Sequence, residues 1–169
     1  MPIFKNINVN NAYFQTKDFS NYLYNYYKKP ENQISITQAN TFNCRYKNNN
    51  DVFVHIRLDD VSDKNPGFAF YDKVLSQIIF DKGFIASDDL NHIICQQLIH
   101  KYNLKIIDYN EVETIMFGST CKHIVLTGGS FSYIIGLFGF FSQIYYPKSN
   151  NSWFPAELFD IPDWKEITL

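Results

Sequence analysis

Residues 124–147, IVLTGGSFSYIIGLFGFFSQIYYP, contain no charged side chain, and five of the seven glycines of the chain fall within residues 118–139. Such a stretch can be a membrane span, a buried helix, or a strand that turns through glycine into a buried helix. A spanning helix needs about 20 predominantly apolar residues, and the segment is long enough. Gly128, Gly129, Ser130 and Ser132 nevertheless cluster in one turn, and the Gly-Gly pair breaks a helix near its start. The remaining 130–141 is too short to cross a bilayer. The segment therefore reads as a buried strand, a tight glycine turn and a buried helix, with no membrane span.

The pattern upstream agrees. DVFVHIRL (51–58) is rich in β-branched and aromatic residues and reads as a strand. DDVSDKNPG (59–67) reads as a loop. FYDKVLSQIIFDKG (70–83) is amphipathic, with Gly83 as a helix C-cap. FIAS (84–87) and LKIID (104–108) read as strands on either side of a helix at 89–103. EVETIMFGSTC (111–121) reads as a helix packing Val112, Ile115 and Met116. HIVL (123–126) and QIYY (143–146) are the last two strands, the second being final, and WFPAELFDIPDW (153–164) is an irregular or helical cover. Before residue 51, residues 13–29 have helical spacing with Asp18 or Thr16 as N-cap, Pro30 closes that helix, and 33–37 reads as a short edge strand. Strand and helix alternate from residue 51 onward, which predicts an α/β fold: a parallel, Rossmann-like sheet with helices on both faces. The expected organisation is an amino-terminal helix and irregular segment over 1–50, and a ligand-binding α/β domain over 51–169.

Net charge is −2, so no global basic field points to nucleic acid. Cys44, Cys95 and Cys121 are far apart, without zinc spacing, and read as reduced, buried thiols. No metal site is expected. The start, MPIFKNINVNN, lacks the apolar core of a signal peptide, so the expected compartment is the cytoplasm, in a bacterial or viral setting. Arg45 and Arg57 are the two arginines against thirteen lysines. Lysine replaces arginine on a solvated face but not where a planar fork grips a phosphate, which singles out Arg57.

Three strand ends carry polar residues suited to ligand chemistry. In open α/β sheets ligands bind beyond the carboxyl ends of strands. HIRLDD (55–60) lies at such an end, and period-two alternation places His55, Arg57 and Asp59 on one face. Arg57 either pairs with Asp59 and Asp60 or meets a phosphate. SDD (87–89) lies at another end; Ser87 or Asp88 caps the next helix, or Asp88 and Asp89 contact a ligand. The third is the glycine turn, where free N–H groups and the helix dipole favour an anion. It matches neither G-x-G-x-x-G nor the P-loop pattern.

Five short motifs occur in order: AYFQ (12–15), HIRLDD (55–60), ASDD (86–89), CKH (121–123) and GGSFS (128–132). From about residue 12 onward the chain resembles the carboxyl-terminal part of the glycosyltransferases related to bacterial α-1,2-fucosyltransferases. Those carry H-[VI]-R-x-G-D, SDD, C-x-H and [SN]-x-[ST]-F-S segments in this order. The resemblance implies the donor-binding half of a GT-B fold, no cofactor or metal, GDP-fucose as donor substrate and a glycan hydroxyl as acceptor. It implies that Arg57 holds the donor diphosphate, with His55 beside it and Asp60 as the motif aspartate. Ser130, Phe131 and Ser132 would form the turn against the diphosphate. Asp88 matches the SDD segment. Glu113 is the best match for the family's acidic residue before C-x-H, one position out of register; Thr114 is in register. Asp59 stands where the motif has glycine, Gly128 where the last turn usually has asparagine, and Tyr133 and Ile134 where tryptophans often follow F-S.

The expected function is inverting, metal-independent transfer of fucose, with Asp60 or Asp59 as general base. The alternative is a non-catalytic or truncated nucleotide-sugar-binding module. Most of the family's amino-terminal, acceptor-side domain has no counterpart in the sequence, residues 1–50 being expected as its remnant or a link to it, and the module reading expects a partner chain or a second copy to supply the acceptor side. A third reading is an α/β interaction domain that docks through its aromatic carboxyl-terminal segment.

Overall fold

The structure is a computed structural model and describes residues 16–148 and 158–169, with the backbone alone for Asp60 and Val61. The AYFQ motif and the first part of the 153–164 cover lie outside the described residues.

Six parallel strands form one sheet in the order β3-β2-β1-β4-β5-β6. They are β1 Val52–Ile56, β2 Gly83–Ser87, β3 Lys105–Ile106, β4 His123–Val125, β5 Gln143–Pro147 and β6 Lys165–Ile167. The helices are α1 Lys17–Tyr27, α2 Pro30–Ala39, α3 Phe68–Leu75, α4 Ile93–Tyr102, α5 Glu111–Gly118 and α6 Gly129–Phe138. The chain winds outward from β1 through β2 to β3, then returns through α5 to place β4 on the other side of β1. Right-handed crossovers force the reversal of direction to put the later helices on the opposite face.

The core shows that division. Val52, Val54 and Ile56 of β1 pack with Phe70, Val74, Leu75 and Leu98 on the α3/α4 face. Phe53 packs with Phe117, Ile124, Ile135, Phe159 and Trp164 on the α5/α6 face. Every residue of β1 is buried, as expected of a strand at the centre of a parallel sheet. His55 is its one ionisable member.

Several local expectations are corrected. Pro30 does not close a helix; it opens α2 at the first helical position, where its missing N–H costs nothing. Residues 33–37 are therefore helical, not an edge strand. Gly83 is no C-cap: α3 ends at Leu75 with Ser76 as cap, and Gly83 begins β2, where a Cβ would sit 2.3 Å from the Leu104 side chain. Val112 is 59% exposed, whereas Ile115 packs half-buried against the core, and the buried residues of α5 are Thr114, Phe117 and Gly118. Cys44 is exposed, whereas Cys95 and Cys121 are buried. The 143–146 strand is not the last, since β6 adds to β5.

The uncharged stretch resolves into β4, a glycine turn, α6 and β5. Among the described residues no helix is long and apolar enough to cross a membrane. Residues 158–164 do cover the core, with Leu158, Phe159, Ile161 and Trp164 buried. Helix α1 lies on α6, and Ser20 links them: its Oγ is 2.8 Å from the Tyr133 hydroxyl and donates to the Leu158 carbonyl at 2.8 Å.

Candidate functional site

The reversal between β1 and β4 makes a topological switch point, and in open α/β sheets ligands bind at the carboxyl edge beside such a point. Three loops meet at this edge: residues 57–60 after β1, 88–89 after β2, and 126–129 after β4.

Arg57 is the first residue beyond β1, and its backbone is fixed on both sides. Its N–H donates to Thr127 Oγ1 at 3.3 Å, and its carbonyl accepts from Asn65 Nδ2 at 3.0 Å. Thr127 Oγ1 also donates to the His55 carbonyl at 2.6 Å. A side chain thus joins the two strands after their backbones have diverged. The Tyr71 hydroxyl, 3.2 Å from Thr127 Oγ1, accepts from Asn65 Nδ2 at 2.9 Å, and Asn65 Oδ1 closes a turn by accepting the Gly67 N–H at 2.9 Å. Burial raises the Tyr71 pKa, so this phenol stays neutral.

The Arg57 side chain lies at the rim, 42% exposed, with Nη1 3.1 Å from Asp88 Oδ2. Asp88 is not a helix cap. Helix α4 starts at Ile93, and His92 caps it by accepting the Ile94 N–H at Nδ1. Asp88 Oδ1 instead accepts the Leu58 N–H at 2.8 Å. Asp89 turns on its neighbour, its N–H donating to Ser87 Oγ at 3.1 Å.

On the α6 side, Gly128 is extended (φ −173°), so any residue fits its backbone. Gly129 has φ +88°, in the left-handed region that favours glycine. A Cβ on either would meet nothing within 4 Å. Helix α6 starts with no side-chain cap, and its first N–H groups have no intrahelical acceptor. Ser130 is exposed and Phe131 half-buried. Ser132 is fully buried and points inward, its Oγ 2.6 Å from His55 Nδ1. Phe131 covers the same imidazole, ring centroids 4.9 Å apart. Burial pushes the His55 pKa down to about 4; the opposing effects of Asp88 and Arg57 are smaller. The ring is neutral near pH 7.

The structure thus brings His55, Arg57, Asp88, Ser130, Phe131 and Ser132 to one edge. Asp59 and Asp60 lie in the 3-10 turn Asp59–Lys64 that follows, and Asp59 is exposed. Glu113 is apart from them. It sits exposed on the first turn of α5, its N–H capped by Asn110 Oδ1 at 2.9 Å, at the start of the helix that leaves edge strand β3. Thr114 is buried and bonded to the Tyr109 carbonyl at 3.3 Å. Thr127, Asn65 and Tyr71 are the site residues that the sequence did not single out. The Asn-Pro-Gly turn signal and the threonine before the glycine pair were the available hints.

Among the described residues no group of His, Cys, Asp and Glu is arranged to hold a metal ion. The edge carries one guanidinium, one uncapped helix start and a neutral imidazole, a set suited to an anionic ligand with a spread of acceptor oxygens.

Fold and edge together define a doubly wound α/β domain with a switch point between β1 and β4. Comparisons with protein-family models, curated proteins and solved structures find no match to this chain.

Proposed function

We propose that the carboxyl edge between the ends of β1 and β4 holds the diphosphate of a nucleotide sugar, and that the chain is a glycosyltransferase. The family resemblance carried by the short motifs implies a GDP-sugar donor, with GDP-fucose the one proposed. The observation that carries this reading is the bond from the Arg57 N–H to Thr127. It joins the residue bearing the guanidinium to the residue preceding Gly128 and Gly129, so both cationic elements lie at one edge.

In this reading the bond between the sugar anomeric carbon and the β-phosphate oxygen breaks as an acceptor hydroxyl attacks from the opposite face, inverting the centre. The electron pair leaves with GDP. Arg57 and the α6 start stabilise the charge that develops on the diphosphate, by fixed dipoles and donors that need no reorganisation. The acceptor proton passes to a carboxylate, Asp60 or Asp59. The two open glycines allow a phosphate to approach the backbone.

A second reading, binding without turnover, draws on Asp59, whose carboxylate adds negative charge where the motif has glycine. Calorimetric titration with GDP and GDP-fucose, followed by a donor-hydrolysis assay, separates the two. Binding with turnover supports the transferase, binding alone supports the module, and absence of both removes the donor site.

A further inference from the structure

The His55–Ser132 pair decides more than the position of a ring. Ser132 is fully buried within α6, where serine often returns its proton to a carbonyl one turn back. Here its hydroxyl makes no such bond to a described residue; its partner is His55 Nδ1 at 2.6 Å. A buried hydroxyl left without an acceptor for its proton loses the full desolvation cost, whereas an unfilled lone pair is tolerated more easily. The arrangement that satisfies the serine is therefore donation from Oγ–H to an unprotonated Nδ1. The imidazole proton must then reside on Nε2. No polar side-chain atom among the described residues is both buried and unpartnered, and Nε2 makes no hydrogen bond to a described residue, so this atom keeps access to solvent.

We infer that Ser132 is a positioning residue that locks His55 in the Nε2–H tautomer, making it a neutral hydrogen-bond donor at the switch-point edge and not a base. What the donor serves rests on the reading of that edge as a diphosphate site: Nε2–H would meet a phosphate oxygen without adding a titratable charge. The tautomer itself follows from the serine alone. Neighbouring charges are Arg57 and Asp88, which act on the ring in opposite directions.

The test is histidine ring nitrogen NMR on the full chain near neutral pH, with the His55 signals identified by their loss in His55→Gln. The expected spectrum has a pyrrole-type Nε2 and a pyridine-type Nδ1 for His55. In Ser132→Ala the lock is removed and the Nδ1–H form gains population. A wild-type ring with its proton on Nδ1, or a cationic ring, overturns the inference without recourse to any variant. Addition of GDP is expected to shift the Nε2–H resonance. An unmoved resonance on a ring of the expected tautomer upholds the serine lock and removes the diphosphate reading.

Discussion

Arg57 and Asp88 tie the ends of two adjacent strands: Arg57 Nη1 lies 3.1 Å from Asp88 Oδ2, while Oδ1 of the same carboxylate accepts the Leu58 N–H at 2.8 Å. One carboxylate thus orients the guanidinium and closes the backbone beyond β1. The two jobs differ in energy. The ion pair is partly exposed, and such pairs contribute about 0–1 kcal/mol. Leu58 is fully buried, and an unpartnered buried amide costs about 1–3 kcal/mol.

Asp88→Asn keeps an oxygen for the Leu58 amide and removes the charge; Asp88→Ala removes both. Urea denaturation is expected to show the alanine variant less stable than the asparagine variant by about 1–2 kcal/mol. Equal losses in the two would mean that the Leu58 bond contributes nothing.

Arg57→Lys keeps a positive charge but loses the planar fork. The backbone bonds of residue 57 to Thr127 and Asn65 do not involve the side chain, so the melting temperature should hold. A charged hydrogen bond contributes about 1.5–3 kcal/mol, so GDP binding is expected to weaken by about 10- to 100-fold. Calorimetry reads both the affinity and its loss, and an unchanged affinity would falsify the role of Arg57 in the site.

The two turn glycines should behave differently. Gly129, at φ +88°, is strained by any Cβ, and Gly129→Ala is expected to cost about 1–2 kcal/mol in denaturation. Gly128 is extended with open space around it, so Gly128→Ala should leave stability within about 0.5 kcal/mol. If a phosphate approaches this backbone, the same substitution lowers GDP affinity. A protein that binds GDP equally well with alanine at 128 places the phosphate elsewhere.

What was legible from the residues depended on how local the cause is. The alternation of strand and helix after residue 51 was readable because each element carries its own period, and the placement of His55 within β1 and Arg57 just beyond its carboxyl end was readable from the same pattern. Helix α2 was not, since it buries no residue and its proline signals a start as well as a stop. Strand β6 carries no apolar pattern and exists through its pairing with β5. Thr127 and Asn65 were missed for another reason. Their contribution is a pair of bonds to Arg57, one of them across seventy positions of sequence, and no local pattern reports such a contact.

Burial of His55 also sets a pH dependence. Its pKa falls from 6.5 to about 4 on folding, so between those values the unfolded chain binds more protons than the folded one. Stability therefore falls as pH drops from 6.5 towards 4, by up to about 3 kcal/mol. His123, whose pKa burial also lowers, adds a loss in the same direction. Asp72 and Asp163 have pKa values lowered by hydrogen bonds from Lys101 and Lys28 respectively, and lose their stabilising effect only below the ordinary carboxylate range. In His55→Gln the fall between pH 6.5 and 4 should be much shallower, measured by denaturation across that range. Parallel profiles for wild type and variant would show that His55 is protonated as readily in the folded chain as in the unfolded one.

Gly136 tests how firmly the carboxyl-terminal segment is seated. It faces Trp164 from within α6, and a Cβ there would lie 2.5 Å from Trp164 Cη2, 2.6 Å from Cζ2 and 3.0 Å from Leu126 Cδ1. Trp164 is buried against Tyr133, Tyr146 and Phe159, so the indole cannot swing aside without opening the core between α6 and β5. Replacement of a mid-helix glycine by alanine gains about 1 kcal/mol of helix propensity, but overpacking of this size costs about 1–3 kcal/mol. The overpacking is the larger effect because the clash falls on a ring held by several neighbours. Gly136→Ala is expected to destabilise the chain by about 1 kcal/mol and to change the tryptophan fluorescence, since Trp164 must move to accommodate the methyl. A stabilised variant with an unchanged emission spectrum would mean that Trp164 does not pack against α6.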